Sequence, residues 1–232
     1  MQHRMGIALI LFVGAITFFT GCLSPDLNLD RTSSGTFSST EISYFEDIVF
    51  GAEYGSAEPQ VLKWVKNPVK IRIYGNPDEQ SLSCLSSVIR DFNQLSNSTR
   101  LQIVDNGTGD IDIHFVPDSE FLRIEPNYVP GNWGFFWRWP NNNCEIYRAR
   151  VLISSENPTS LQRCHLIREE LTQSLGFAMD SHKYPDSIFY GGWTETTNYS
   201  EIGKNLIRML YSTDIPLCAT KKEVDRYFAS DK

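Results

Sequence analysis

The chain has little histidine and no surplus of positive charge. Its 232 residues contain four His, and 21 Lys and Arg stand against 28 Asp and Glu, for a formal net charge of −7. Nucleic-acid phosphates require a basic protein face, so this balance argues against a nucleic-acid partner. The same deficit argues against electrostatic attachment to anionic lipid head groups.

Several familiar motifs are also missing. No Cys-x-x-Cys pair is present, which argues against a zinc knuckle or a thioredoxin-like site. No Gly-x-Ser-x-Gly elbow marks a serine hydrolase, and no Gly-rich loop is placed to cradle phosphate. Without internal repeats or low-complexity blocks, the chain predicts one globular domain with a tail.

The long apolar run lies at the N-terminus, where residues 6–19 carry no charge and follow Arg4. It is shorter than the roughly 20 residues of a transmembrane helix and fits the apolar core of a secretion signal. The segment Phe19-Thr20-Gly21-Cys22 then resembles the lipobox of bacterial lipoproteins, with Phe where Leu is usual. The resemblance implies cleavage before Cys22 and lipidation of that residue. The alternative is an ordinary signal peptide or an N-terminal anchor helix with an incidental cysteine.

This resemblance sets the expected organisation of the chain. We expect a signal peptide over residues 1–21, a flexible tether rich in Ser, Thr, Asp and Asn over 22–40, and one domain over 41–232. Cleavage removes Arg4 but no acid, so 20 basic residues face 28 acidic ones, a net charge of −8. The lipid is therefore the expected membrane partner. The residue after the cysteine is Leu23 and not Asp. By resemblance to the sorting rules of bacterial lipoproteins, this implies an outer-membrane location facing the periplasm.

Four cysteines remain after the lipidation site. An even number in an oxidising compartment favours two disulfides, and four thiols allow three pairings. The sequence leaves the three open, and we favour Cys144–Cys164 together with Cys84–Cys218.

The periodicity of apolar residues predicts an α+β fold with a mixed or twisted sheet. Alternating or continuous apolar patterns predict strands, and apolar residues at helical spacing predict helices. The helix at 201–211 is expected to be the final helix of the chain. The strands are expected at 69–74, 101–104, 111–116 and 148–153, and the helices at 41–50, 82–95, 160–175 and 201–211.

One predicted helix carries the residues of greatest chemical interest. A zinc protease helix uses His-Glu-x-x-His, in which two histidines bind the metal and the glutamate activates water. The segment from Glu169 to Gly176 resembles this motif and keeps its glutamate at Glu170 and its glycine at Gly176. Both histidine positions are replaced, by Glu169 and Gln173.

Two later segments extend the resemblance to metzincins over roughly residues 69–212. Ser187-Ile188-Phe189-Tyr190 resembles the Met-turn, with Phe189 in the methionine position, and 199–211 resembles the matrixin C-terminal helix. The resemblance implies a zincin-like, twisted mixed sheet with an active-site-type helix and a C-terminal helix.

The chain is more similar still to an uncharacterised family of bacterial secreted proteins and lipoproteins, whose domain of unknown function has a zincin-like core. That family has no known activity, so this resemblance implies none for the chain. The matching segments are Phe45-Glu46-Asp47-Ile48, Gly51-Ala52-Glu53-Tyr54-Gly55, Lys63-Trp64, the helix from Glu169 to Gly176, Asp180-Ser181 and Ser187-Ile188-Phe189.

The substitutions leave three interpretations of the site. Glu169, Gln173 and Asp180 form a hydrogen-bond network in place of the metal, or they bind a non-zinc divalent cation such as calcium or magnesium. In the third, Glu170 remains a general base for hydrolysis. We expect no cofactor under the first interpretation. His165 and His182 lie close enough in sequence to join a modified site, whereas His114 is expected to pack or face solvent.

An aromatic segment completes the candidate residues. Trp133, Phe135, Phe136, Trp137 and Trp139 either line a ligand-binding face or form an ordered loop packed on the core.

The function that we favour is binding of a peptide or cell-wall component, in a cleft beside this aromatic segment and an edge strand near 148–153. The alternatives are a divergent metal-dependent peptidase or hydrolase using Glu170, and a purely structural envelope factor.

Overall fold

The structure is a computed structural model that describes residues 37–51 and 60–229. Cys22, the expected signal peptide and nearly all of the expected tether lie outside the described residues, so lipidation and localisation stay predictions. The first helix begins at Ser39, within the range expected for the tether, and its cap, Ser38, exchanges hydrogen bonds with Glu41. In the described part of the chain, every helix is too short or too polar to cross a membrane.

Five strands form one mixed sheet in the order β2-β1-β3-β5-β4. The first three strands along the chain and the fifth run parallel, and β4 is antiparallel to β5 at one edge. Their bounds are β1 Val69–Gly75, β2 Leu101–Ile103, β3 Ile111–Val116, β4 Gly134–Pro140 and β5 Ile146–Ser154.

Six α-helices of the described residues accompany the sheet, of which α4 is the one predicted to carry the site. It begins at a capping box formed by Thr159 and Gln162. The bounds are α1 Ser39–Phe50, α2 Glu79–Leu95, α3 Phe121–Ile124, α4 Ser160–Gln173, α5 Glu201–Tyr211 and α6 Lys221–Ala229. The predicted α+β class is confirmed, with a mixed sheet, a helix over the expected active-site-type segment and another helix at 201–211.

Three local predictions were wrong. The aromatic segment is the strand β4 and not a loop, and the strand near 148–153 is internal because β5 lies between β3 and β4. Continuous burial from Val151 to Ser154 fits an internal strand, while aromatic residues are favoured in strands generally. The helix at 201–211 is not the last, since α6 follows it. That helix was missed because it buries only Val224 and Phe228.

The two expected disulfides are present, but the favoured pairing was wrong. The pairs are Cys84–Cys164, which joins α2 to α4, and Cys144–Cys218, with Cα atoms 5.5 and 5.3 Å apart. The second pair forms because the chain near Val61 lies between its two cysteines. Val61 accepts a hydrogen bond from the backbone of Cys218. Lys63 donates one to the carbonyl of Cys144.

Candidate functional site

A cleft of about 390 Å³ lies where α4 meets the first residue of β4 and the segment that follows α4. The segment after α4 closes on itself through a bridge between Ser181 and Tyr190. The predicted residues Glu169, Glu170, Gln173, Asp180 and Trp133 all face this one cleft. Its lining comprises Gly131, Asn132, Trp133, Gly134, His165, Leu166, Glu169, Glu170, Gln173, Asp180, Tyr190, Gly191, Gly192 and Trp193.

His165 and Glu169 form an ion pair one turn apart on α4. The Nε2 atom of His165 lies 3.2 Å from a carboxylate oxygen of Glu169, and its Nδ1 atom lies 2.7 Å from the carbonyl oxygen of Thr196. Burial lowers the pKa of His165, but the hydrogen bond and charge of Glu169, the Thr196 carbonyl and the charge of Glu195 together raise it. Because both ring nitrogens face oxygen acceptors, the site favours the protonated imidazolium.

Gln173 and Asp180 form the second polar contact of the cleft. The amide nitrogen of Gln173, which is 1% exposed, donates a 2.7 Å hydrogen bond to a carboxylate oxygen of Asp180. Gln173 and Asp180 therefore lie together, while Glu169 contacts His165. Within residues 37–51 and 60–229, no three or more His, Cys, Asp or Glu side chains are grouped so that they could hold a metal ion.

The carboxylate of Glu170 lies against the backbone of β4. A Cβ atom added at Gly134 would be 2.4 Å from Oε1 of Glu170 and 2.9 Å from Cδ2 of Leu166. Real side chains do not approach this closely, so the glycine is what admits the carboxylate. Glu170 is 7% exposed, and it forms part of the cleft wall.

Only Trp133 of the five predicted aromatic residues lines the cleft. Phe135 and Trp137 lie on the other face of the sheet, where their rings stack in parallel at 6.4 Å. Trp139 contacts the guanidinium groups of Arg148 and Arg150. Phe136 packs against the main core. Alternation along β4 places Phe136 on the opposite face from Phe135 and Trp137, and Trp133 lies just before the strand.

Sequence reasoning missed Trp193, the most exposed aromatic residue of the cleft. Its side chain is 58% exposed, and its ring meets that of Trp133 edge-on at 5.7 Å. It also lies 6.4 Å from the ring of His165. The sequence signal was the pair Gly191-Gly192, which follows the Met-turn-like segment and places this tryptophan directly after a turn.

The Met-turn-like segment is buried up to Phe189, and its last residue, Tyr190, lines the cleft. Phe189 is fully buried, and its ring lies 5.3 Å from that of Phe177. The hydroxyl of Tyr44, on α1, donates a 3.0 Å hydrogen bond to Ser187. Burial, as the main cause, raises the pKa of Tyr44 to about 12. A phenylalanine thus packs where the metzincin pattern has methionine.

The other two histidines of the described residues, His114 and His182, occupy different surroundings. His114 stacks on Tyr74 at 4.6 Å, outside the cleft, and burial with the charges of Arg150 and Arg148 lowers its pKa to about 4. His182 meets the ring of Tyr190 edge-on at 5.7 Å beside the cleft.

Comparison with known proteins identifies a family and a similar solved structure. Residues 39–230 match the model of a protein family of unknown function, DUF2927. No curated protein matches the chain. One similar solved structure is that of myroilysin, with 10% sequence identity and a TM-score of 0.42 over 66% of this chain and 97% of that chain.

Proposed function

We propose that this chain, which belongs to the DUF2927 family of proteins of unknown function, is a binding module for an extended peptide. The observation that carries the proposal is the position of the cleft at the end of the edge strand β4. A peptide added beside β4 would enter the cleft at Gly134. Peptides in the cell wall belong to the same ligand class.

The backbone of β4 supports this mode of binding. The carbonyl of Trp133 accepts a hydrogen bond from Ser154, which makes these residues a hydrogen-bonded pair with β5. In an antiparallel pair such residues alternate, so Gly134 and Phe136 direct their N–H and C=O groups away from β5. Addition of a strand to such an edge is a common mode of peptide recognition.

The cleft walls supply side-chain contacts beyond the backbone. The rings of Trp133 and Trp193 form an aromatic wall, and aromatic residues dominate the energetics of protein interfaces. The carboxylates of Glu169 and Asp180 also line the cleft. We propose further that a lipid on Cys22 holds this module at the outer membrane, facing the periplasm.

The proposal is tested by measuring the binding of a peptide library, and of cell-wall stem peptides, to the purified chain. Trp193→Ala should weaken a selected peptide at least about ten-fold, in the range of interface hot spots. Tyr147→Ala is the matched control, because Tyr147 is 56% exposed but lies outside the cleft. The proposal fails if no peptide binds, or if the two variants weaken binding equally.

One observation favours the second candidate, a divergent metal-dependent hydrolase. The buried carboxylate of Glu170 lies in the wall of the cleft, where a general base would have to be. Glu170→Gln should abolish turnover in a hydrolase but leave peptide affinity nearly unchanged in a binding module. Stoichiometric bound metal that is lost, together with activity, on Glu169→Ala would favour the hydrolase.

A further inference from the structure

A second cavity, of about 230 Å³, lies between α1 and α6 and shares no lining residue with the cleft. The residues that line it on α1 recur at intervals of three and four, which places them on one face of that helix. The two residues from α6 are four apart. The lining is Ser39, Ile42, Ser43 and Glu46 from α1, with Asp225 and Ala229 from α6.

Glu46 is a buried carboxylate with an oxygen that the protein does not satisfy. The residue is 6% exposed, and its Oε1 atom is enclosed without a hydrogen-bond partner within the described ranges. The other oxygen, Oε2, lies 3.3 Å from Nζ of Lys221, whose side chain is 59% exposed. A buried carboxylate oxygen without a donor is costly, so this geometry calls for a positively charged or protonated partner.

A second carboxylate increases that requirement. Asp225 lines the same cavity as Glu46, so the two carboxylates are neighbours there. Burial first, and then the neighbouring Asp225, raise the pKa of Glu46, while Lys221 lowers it. Asp225 is exposed and Glu46 is buried, so it is the Glu46 carboxylate that needs a cation close by to be stably ionised. Lys221 contacts this carboxylate and remains largely in solvent.

We propose that the cavity between α1 and α6 binds a hard divalent cation, Ca²⁺ or Mg²⁺, through the carboxylates of Glu46 and Asp225. The hydroxyl groups of Ser39 and Ser43 line the same cavity and add oxygen donors, which both cations prefer. With two carboxylates and the rest of the shell from hydroxyls and water, affinity should be weak, with a Kd of about 10⁻⁴–10⁻³ M.

Such a site would give the Phe45-Glu46-Asp47-Ile48 motif a physical role. Phe45 packs its ring against Phe228 of α6, with centroids 6.0 Å apart, so the two helices already meet beside the cavity. The cation would join α1, the first described helix, to α6, the last. It would thereby hold the two ends of the domain together.

The experiment is thermal unfolding of the full chain, stripped of metal with EDTA and titrated with CaCl₂ or, in a separate arm, MgCl₂. A cation that binds only the folded state at a hundred-fold excess over its Kd should raise Tm by about 5 °C or more. Glu46→Gln and Asp225→Asn should each abolish the shift. Glu46→Gln should also raise Tm in EDTA, because it removes the repulsion between the two carboxylates. The arm with the larger shift identifies the preferred cation.

The matched control is Asp47→Asn, which removes the neighbouring acid of α1. Asp47 pairs with Lys183 and does not line the cavity, so this variant should keep the full cation-dependent shift. Absence of a shift in the unmodified chain would overturn the proposal, as would a shift that survives in both cavity variants. If the cations have no effect and Tm falls steadily as pH rises from 4 to 7, the carboxylates share a proton instead.

Discussion

The imidazole of His165 and the carboxylate of Glu169 face each other at 3.2 Å across one turn of α4, in the wall of the cleft. His165 lies one turn before the pattern that resembles the zinc protease helix, and Glu169 stands at a histidine position of that pattern. The pair directs Glu169 along the helix and ties α4 to the backbone of Thr196. A charged pair thus occupies part of the site where the resemblance would have placed metal ligands.

This pair should make the stability of the domain depend on pH. The pKa of His165 is raised above its ordinary value of 6.5, so its stabilising contribution is complete below that value. The contribution is lost as pH rises through the raised pKa. Urea unfolding at a series of pH values above 6 should show this loss in the unmodified chain and not in Glu169→Gln. His182→Gln is the control and should keep the loss. Equal pH slopes for the unmodified chain and Glu169→Gln would contradict this assignment.

The contact between Gly134 and Glu170 predicts that adding a methyl group at position 134 lowers the free energy of unfolding. Gly134→Ala should destabilise the fold by about 1–3 kcal/mol, since the added carbon must displace Glu170 or Leu166. The free energy of unfolding in urea measures the effect. Gly203→Ala, on α5, is a suitable comparison, because the added Cβ atom would meet only the Oγ atom of Ser200, at 3.4 Å. It should be neutral or stabilising by up to about 1 kcal/mol. Equal losses in the two variants would count against the close contact.

Buried Arg168 should contribute more to the free energy of unfolding than exposed Arg90, which pairs with the same aspartate. Its side chain is 2% exposed, binds Asp91 at 2.8 Å and lies 4.4 Å from the centre of the Tyr199 ring. Arg168→Ala should cost about 3 kcal/mol, at the lower end for a broken buried pair because Asp91 is 26% exposed. Arg90 pairs with the same aspartate but is 61% exposed, so Arg90→Ala should cost less than about 1 kcal/mol. Chemical unfolding of both variants measures the two losses of free energy. Similar losses would contradict the difference expected from burial.

The disulfide pairing predicts both a peptide map and a change in stability. Non-reducing proteolysis and mass spectrometry should find peptides that link Cys84 to Cys164 and Cys144 to Cys218. Replacing Cys84 and Cys164 together by Ala should lower the free energy of unfolding by about 4.5 kcal/mol. The estimate follows from the chain entropy of a closed loop of about 80 residues. A peptide that links Cys144 to Cys164 would contradict the structure.

Much of the fold could be predicted from sequence because its signals are local. The helix α4 begins at a capping box that its own residues form, and β3 follows strict alternation of buried and half-buried residues. The edge strand could not be assigned in the same way. Aromatic residues suit a strand or a packed loop, and only pairing with β5 decides between them.

The site was predictable in part for the same reason. Glu169, Glu170 and Gln173 share one helix, so their spacing placed them together, and Asp180 follows within one short segment. Trp193 could not be placed against Trp133, because nothing local relates a residue after α4 to the start of β4. Glu46 and Asp225 lie far apart in the sequence, so no sequence signal indicated that both line one cavity.

The sequence by itself determined the positions of most helices and strands, the number of disulfides and the chemistry carried on α4, since each depends on residues within one or two turns or on a simple count. The tertiary structure alone decided which cysteines pair, which strands lie at the two edges of the sheet, and which side chains lie next to Glu169 and Glu46. These outcomes depend on the order of strands in the sheet and on the packing of helices distant in sequence. Local periodicity does not encode either of them.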